Sequence, residues 1–408
     1  MPDNVNLSSK RSRLSFWLIL LALMVEGFDL QAANFAAPAL VESLGLSRAQ
    51  IGPFLSASLF GVLIGAAFIG PLGDKFGRKK VIVWCCAIYG VLSLIAALAT
   101  DLTQLIGLRF LIGVGLGGVL PNALALAGEL ADPKRRAGAM GMVGIGITMG
   151  AVLAGAVSAQ IIPAYGWPSL FIVGGILPLI IAGTVHLALP ESNAVKAAET
   201  DLAAGQRGVR ALLTGRNGPK TIAIWLIFAS ILMNVYLLSG WIPLLMSDTG
   251  YSMADAAWIA TAYHGGGVAG GIVASKILPS REWKTVAGFA ALSAFTLLTL
   301  AVGNWSAALI PAFIIAAGFF VTGTQNAING AAGDTYDARI RATGLGWALG
   351  IGRIGSIAGP LVGSLAVLLG LSQARHFFLI PVLPLLLAAG LAIWLANYTR
   401  NPENKDFI

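Results

Sequence analysis

The sequence predicts an all-α integral membrane protein of twelve transmembrane helices in two pseudo-symmetric six-helix bundles, and three observations carry that prediction. Of the 408 residues 57% are hydrophobic and 11% charged, too apolar a balance for a chain that folds in water. Apolar runs of about 20 residues, the length that crosses a bilayer, recur along nearly the whole chain. Third, the chain repeats itself: Glu129, Asp132, Arg136 and Gly141 are matched by Asp334, Asp337, Arg341 and Gly346, all displaced by 205 residues. GPLGDK from Gly70 and GIVASK from Gly271 form a similar pair.

The first expected span, 16 to 40, follows Lys10, Arg11 and Arg13 and carries Glu26 and Asp29. It is too long for a signal h-region and lacks a small-residue cleavage site, so it is expected to remain as a span. Spans two and three, 51 to 71 and 81 to 99, flank GPLGDKFGRKK; the adjacent Cys85 and Cys86 in the third suit packing, not a disulfide or metal site. The fourth, 104 to 127, holds Arg109, and the fifth and sixth run from 137 to 162 and 168 to 189. The polar stretch 190 to 218 is read as a central loop dividing six spans from six. Beyond it come 219 to 245, 253 to 276 with His264, 284 to 302, 306 to 330, 341 to 369 with Arg353, and 375 to 398. The expected domains are thus a tail at 1–15, bundles at 16–189 and 219–398, and a tail at 399–408.

The formal charge of +8 reflects topology, with no nucleic-acid partner implied. Of 26 basic residues, 22 flank the spans on one side, against Arg48 and Arg375 on the other, which places both termini and the central loop in the cytoplasm. Parallel six-helix halves are a transporter architecture, with substrate held near midplane between them.

GPLGDKFGRKK, Gly70 to Lys80, resembles the loop signature of the major facilitator superfamily, and RFLIGVGLGG, Arg109 to Gly118, its fourth-span signature. EGFDLQAA, Glu26 to Ala33, is similar to the acidic first-span motif of the aromatic acid/proton symporters, which more often has Asp where Glu26 stands. WALGIGRIGSIAGP from Trp347, preceded by IRATG from Ile340, resembles their eleventh span, and LLSGWIPLLM from Leu237 the end of their seventh. The first-span motif is most similar to the branch importing 3-phenylpropionate and its hydroxylated derivatives, with benzoate-type acids left open. The resemblance implies a major facilitator fold and proton-coupled uptake of an aromatic carboxylic acid by alternating access. It further implies a monomer in a bacterial inner membrane, with substrate, protons and lipid as partners and no cofactor.

Charges inside a bilayer are costly and mark pathways. Glu26 and Asp29, three residues apart, share one helix face and are the candidate proton carriers. Acid uptake also needs a cation for the substrate carboxylate. Arg353, about twelve residues into its span, is the expected clamp, because a guanidinium binds carboxylate bidentately and stays charged; Arg109 is the second candidate. Asn34, Asn122, Tyr236, Trp241, His264, Asn326 and Trp347 are candidates to line an aromatic slot. The resemblance makes Asp74 and Arg78, with Glu129 and Asp132, a cytoplasmic gate; Ser275 replaces the acid in the second half.

Two rivals are weaker. An exporter of this fold is expected to carry a glycine-proline pair in span five, absent from GMVGIGITMGAVLAG, Gly141 to Gly155. A membrane enzyme would need a metal constellation, nucleophile elbow or phosphate loop, none of which the sequence supplies. GIGRIG from Gly350 fits a dinucleotide pattern without its βαβ context.

Overall fold

The computed structural model describes residues 10–131, 136–189, 212–215, 217–336, 340–371 and 373–399, and every regular element among them is helical. Helix α1 is Lys10–Leu44, followed by α2 (Ile51–Phe68), the short α3 (Leu72–Phe76), α4 (Arg78–Ala96), α5 (Leu102–Leu130), α6 (Arg136–Tyr165) and α7 (Pro168–Ala188). Then come α8 (Asn217–Asp248), α9 (Met253–Val302), α10 (Ile310–Thr335), α11 (Arg341–Leu368), α12 (Ala374–Phe377) and α13 (Val382–Tyr398). The chain divides into two compact units, Met1–Thr200 with Ser252–Trp258, and Asp201–Tyr251 with Ile259–Ile408.

Eleven helical stretches among the described residues are long and apolar enough to cross a membrane. The expected span 253 to 276 is not one of them. It is the first arm of the 50-residue α9, whose backbone leaves helical geometry at Glu282 (φ 27°, ψ −111°), so that two arms follow one another without a loop. Asp255, His264, Lys276 and five glycines dilute its hydropathy. Helix α1 also starts at Lys10, inside the stretch expected as tail, because nothing in KRSRLS breaks a helix. GIGRIG lies wholly within α11, and Cys85 and Cys86 are buried thiols on α4.

Glycines bring helices into backbone contact. On α6, a Cβ at Gly146 or Gly150 would meet the Leu20 or Met24 carbonyl oxygen of α1 at 2.7 and 1.9 Å. On α11, Gly355 and Gly359 stand in the same relation to Ala229 and Met233 of α8, at 2.2 and 2.5 Å. All four residues are displaced by 209 from their counterparts. Between α2 and α5, Gly61 faces Phe110, Gly65 faces Val114 and Gly113 faces Ser58; between α9 and α10, Gly266 faces Ile315, Gly270 faces Phe319 and Gly318 faces Tyr263, a displacement of 205 throughout. Small residues allow this approach where lipid provides no hydrophobic drive for helices to associate. The glycines of RFLIGVGLGG are thereby accounted for: Gly113 and Gly117 touch α2, and Gly115 and Gly118 face Tyr89 and Cys85 of α4.

The two displacements revise two sequence matches: at 205 residues GPLGDK falls opposite 275–280 and not opposite GIVASK, so that Asp74 aligns with Pro279 and not with Ser275. On α6 and α11 the contacts align Gly141 with Gly350, not with Gly346, because the second half is four residues shorter between α8 and α9 and four residues, about one helical turn, longer between α10 and the α11 contacts. Gly150→Leu drives a side chain into the Met24 carbonyl and is expected to lose at least 1–3 kcal/mol. Fluorescence-detected size exclusion of the solubilised variant checks this; a monodisperse, wild-type-like peak contradicts the close packing.

Candidate functional site

Asp29 lies near the middle of α1 and is fully buried. Its two carboxylate oxygens have different partners. Oδ2 accepts a hydrogen bond from Arg109 Nη1 at 3.1 Å, and Oδ1 accepts one from the Ser93 hydroxyl at 3.0 Å. Arg109, two turns into α5, is also fully buried and donates through Nη2 to the Asp29 backbone carbonyl at 3.2 Å, so that one guanidinium grips side chain and main chain together. Its plane lies over the Phe171 ring of α7, 5.9 Å from the centroid, and Trp167 meets Phe171 edge-on at 5.7 Å. Arg109 Nε has no hydrogen-bond partner among the described residues. Helices α1, α4, α5 and α7 therefore converge on one charge pair. Glu26 is also buried, at 5% exposure, and Tyr89 of α4 lies within Coulombic range of both acids.

The repeat provides an internal control for this pair. Displacing Asp29 by 209, the α1-to-α8 offset, gives Leu238; displacing Arg109 by 205, the α5-to-α10 offset, gives Ile314. Both are 0% exposed. The second unit thus closes its core with two aliphatic side chains where the first holds an acid and a base. Buried ion pairs are frequently replaceable by apolar residues without loss of stability, so the architecture does not require the pair.

Arg353 stands in the middle of α11, half-buried, and makes no hydrogen bond or ion pair among the described residues. The cation bound directly to Asp29 is therefore Arg109.

The slot candidates divide. Trp241 is fully buried, donates to the Pro360 carbonyl at 3.2 Å and packs on Phe377 at 5.1 Å, a helix-joining role. Asn122 donates to the carbonyls of Gly118 and Gly70 at 2.8 and 3.2 Å, bracing the GPLGDK loop. Asn34 is tied to Gln31 on its own helix, and Asn326, exposed, to Thr322 at 3.0 Å. His264 is buried against Tyr263, Tyr236 is half-buried, and Trp347, 43% exposed, stacks on Trp225 at 5.8 Å.

At the expected gate, Arg78 forms ion pairs with Asp74, at 3.1 Å, and with Glu129, joining the start of α4 to the end of α5 within one unit. Gly77, at φ +98°, makes the turn that presents Arg78. Asp132 lies outside the described residues. In the second unit Trp283, displaced by 205 from Arg78, donates to the Thr335 hydroxyl at 2.8 Å, one residue past the counterpart of Glu129. Ser275 turns back to its own helix, bonding Ile272 O at 2.8 Å. A neutral brace thus takes the place of the ionic one.

Ser93, Phe171 and Gly174 were not legible as site residues, since a serine, a phenylalanine and a glycine within apolar spans carry no signal of their own.

The profile described as Major Facilitator Superfamily matches residues 19–360. The chain belongs to this superfamily. Among its relatives are a gallate transporter of Pseudomonas putida, 37% identical over 94% of this chain and 92% of that one, and the 4-hydroxybenzoate transporter PcaK of the same species, 36% identical over 88% and 87%. The 3-(3-hydroxy-phenyl)propionate transporter of Escherichia coli K12 is 34% identical over 97% and 96%. Of solved structures, a bacterial homologue of the human lysosomal transporter Spinster, inward-facing and unoccupied, superposes with a TM-score of 0.80 at 18% identity, covering 96% of this chain and 98% of its own. A D-xylose-proton symporter gives 0.75 at 15%, with the same coverage. The fold is therefore that of the superfamily: a multi-pass membrane transporter.

Proposed function

We propose that this superfamily member carries an aromatic carboxylic acid into the cell together with protons, by alternating access. Its substrates are of the hydroxybenzoate or hydroxyphenylpropionate type, since relatives named for gallate, 4-hydroxybenzoate and (3-hydroxyphenyl)propionate match at nearly equal identity. The observation that carries the reading is the buried Asp29–Arg109 pair, for which the second unit substitutes aliphatic residues.

The chemistry follows from charge conservation in a medium that solvates charge poorly. While Asp29 is ionised, Arg109 is balanced. A proton on Asp29 leaves a buried guanidinium without its counter-charge, a state costing several kcal/mol unless another anion arrives. The substrate carboxylate is that anion, and Arg353, which makes no hydrogen bond or ion pair among the described residues, is its clamp. Proton and anion then enter together because neither is tolerated alone. Glu26 is the second acid able to take part. Tyr236 and Trp347, which make no hydrogen bond among the described residues of the kind that occupies Trp241 or Asn122, are slot candidates, and His264 stays a third.

The positive-inside distribution supports an inner-membrane protein with both termini in the cytoplasm, and one chain holds the whole charge set, as a monomer requires.

Uptake of labelled benzoates, phenylacetates and phenylpropionates into vesicles with an imposed pH gradient tests the reading. Accumulation of at least one class that collapses with the gradient is expected, whereas gradient-independent entry of all of them contradicts it. Collapsing the membrane potential separates the stoichiometries, because a second proton per anion adds about 2.3 kcal/mol per 100 mV. In Arg353→Lys the bidentate fork is lost and binding is expected to weaken about tenfold or more. Unchanged affinity by scintillation proximity would remove Arg353 as the clamp.

A further inference from the structure

Hydroxyls within these helices habitually bond backward to their own backbone: Ser293 to Phe289 O, Thr296 to Leu292 O and Thr324 to Phe320 O, each at 2.8 Å. Ser93 does not. Fully buried on α4, it turns across to α1 and donates to Oδ1 of Asp29 at 3.0 Å. Gly174 of α7 makes the room: a Cβ there would stand 3.1 Å from Asp29 Oδ1 and 3.4 Å from Ser93 Oγ.

The two partners of the carboxylate differ in what they accept. Arg109 only donates, so a proton on Oδ2 would face a donor and break that hydrogen bond. A hydroxyl both donates and accepts. The geometry points to Ser93 as the positioning residue that directs the coupling proton to Oδ1 of Asp29, an inference that rests on the reading of Asp29 as the proton carrier. A proton from water forms the O–H bond at Oδ1 and neutralises the carboxylate. Ser93 Oγ then accepts that O–H, and its own hydrogen swings to the carbonyl of Tyr89, four residues back, the bond its counterparts already make. On release the proton returns to water and the hydroxyl turns back to the carboxylate. Ser93 thus serves both protonation states without moving its helix, while Arg109 keeps its hold on the Asp29 backbone.

The test uses full-length protein reconstituted in vesicles. Ser93→Ala is expected to lower gradient-driven accumulation about tenfold, the worth of one hydrogen bond to a charged group. Gly174→Ala, which presses a methyl group on the same contact, is expected to act in the same direction. A merely structural serine would not alter the infrared signature: the C=O stretch of protonated Asp29, recognised by its disappearance in Asp29→Asn, is expected to move to higher frequency in Ser93→Ala. An unmoved band with unimpaired accumulation overturns the assignment of Ser93. Gradient-driven uptake that survives in Asp29→Asn itself would instead overturn the underlying reading of Asp29, so the two failures are told apart.

Discussion

Asp29→Asn is expected to abolish accumulation of substrate against its gradient while leaving exchange across the membrane. The amide keeps the shape of the carboxylate and can still accept from Arg109 through its oxygen, so the bundle stays assembled. What it loses is the ability to alternate between charged and neutral. Arg109 is then permanently without a counter-anion, and the substrate carboxylate takes up that role irrespective of pH. Binding is accordingly expected to become independent of pH and at least as tight as in the wild type. Counterflow, in which labelled substrate exchanges for unlabelled, persists because it requires no net proton movement. Paired uptake and counterflow assays on one vesicle preparation check this. Retained uphill uptake in the variant removes Asp29 from the coupling step.

The second large effect concerns stability. Replacing Arg109 alone, by Ile, leaves a buried carboxylate unpaired, and replacing Asp29 alone, by Leu, leaves a buried guanidinium unpaired; each is expected to cost about 3–5 kcal/mol. The double variant Asp29→Leu with Arg109→Ile places in the first unit what Leu238 and Ile314 already provide in the second. It is expected to recover most of the loss and to transport nothing. Thermal unfolding of the four proteins in detergent gives the coupling energy directly. A double variant as unstable as either single one would show that the pair is needed for the fold, and would end the case that it is kept for function.

Much of this was legible in the sequence because bilayer physics writes it large. Twelve runs, the polar stretch near residue 200 and the displaced loop motif all follow from the cost of polar groups in lipid, and Glu26, Asp29, Arg109 and Arg353 were conspicuous for the same reason. Pairing was not legible. Depth along a helix leaves Asp29 equally open to Arg109 and Arg353, and only the packing of α1 on α5 through α4 and α7 selects Arg109. The repeat was read at displacements of 205 and 201 and its helix contacts show 205 and 209, since a one-turn shift leaves no mark in a helix of uniform polarity. Asn122 and Trp241 looked like cavity residues because a polar or amphipathic side chain in a span suits a cavity and a helix-to-carbonyl bond equally well. Ser93 was missed for the opposite reason: alone in an apolar span, a serine reads as packing.

Coupled transport requires Asp29 to take a proton when the substrate anion arrives, and proton uptake itself is the most direct measurement. Purified protein in weakly buffered detergent solution, followed with a pH indicator while substrate is added, is expected to withdraw protons from solution in the wild type and none in Asp29→Asn. Equal proton uptake in both proteins would contradict it.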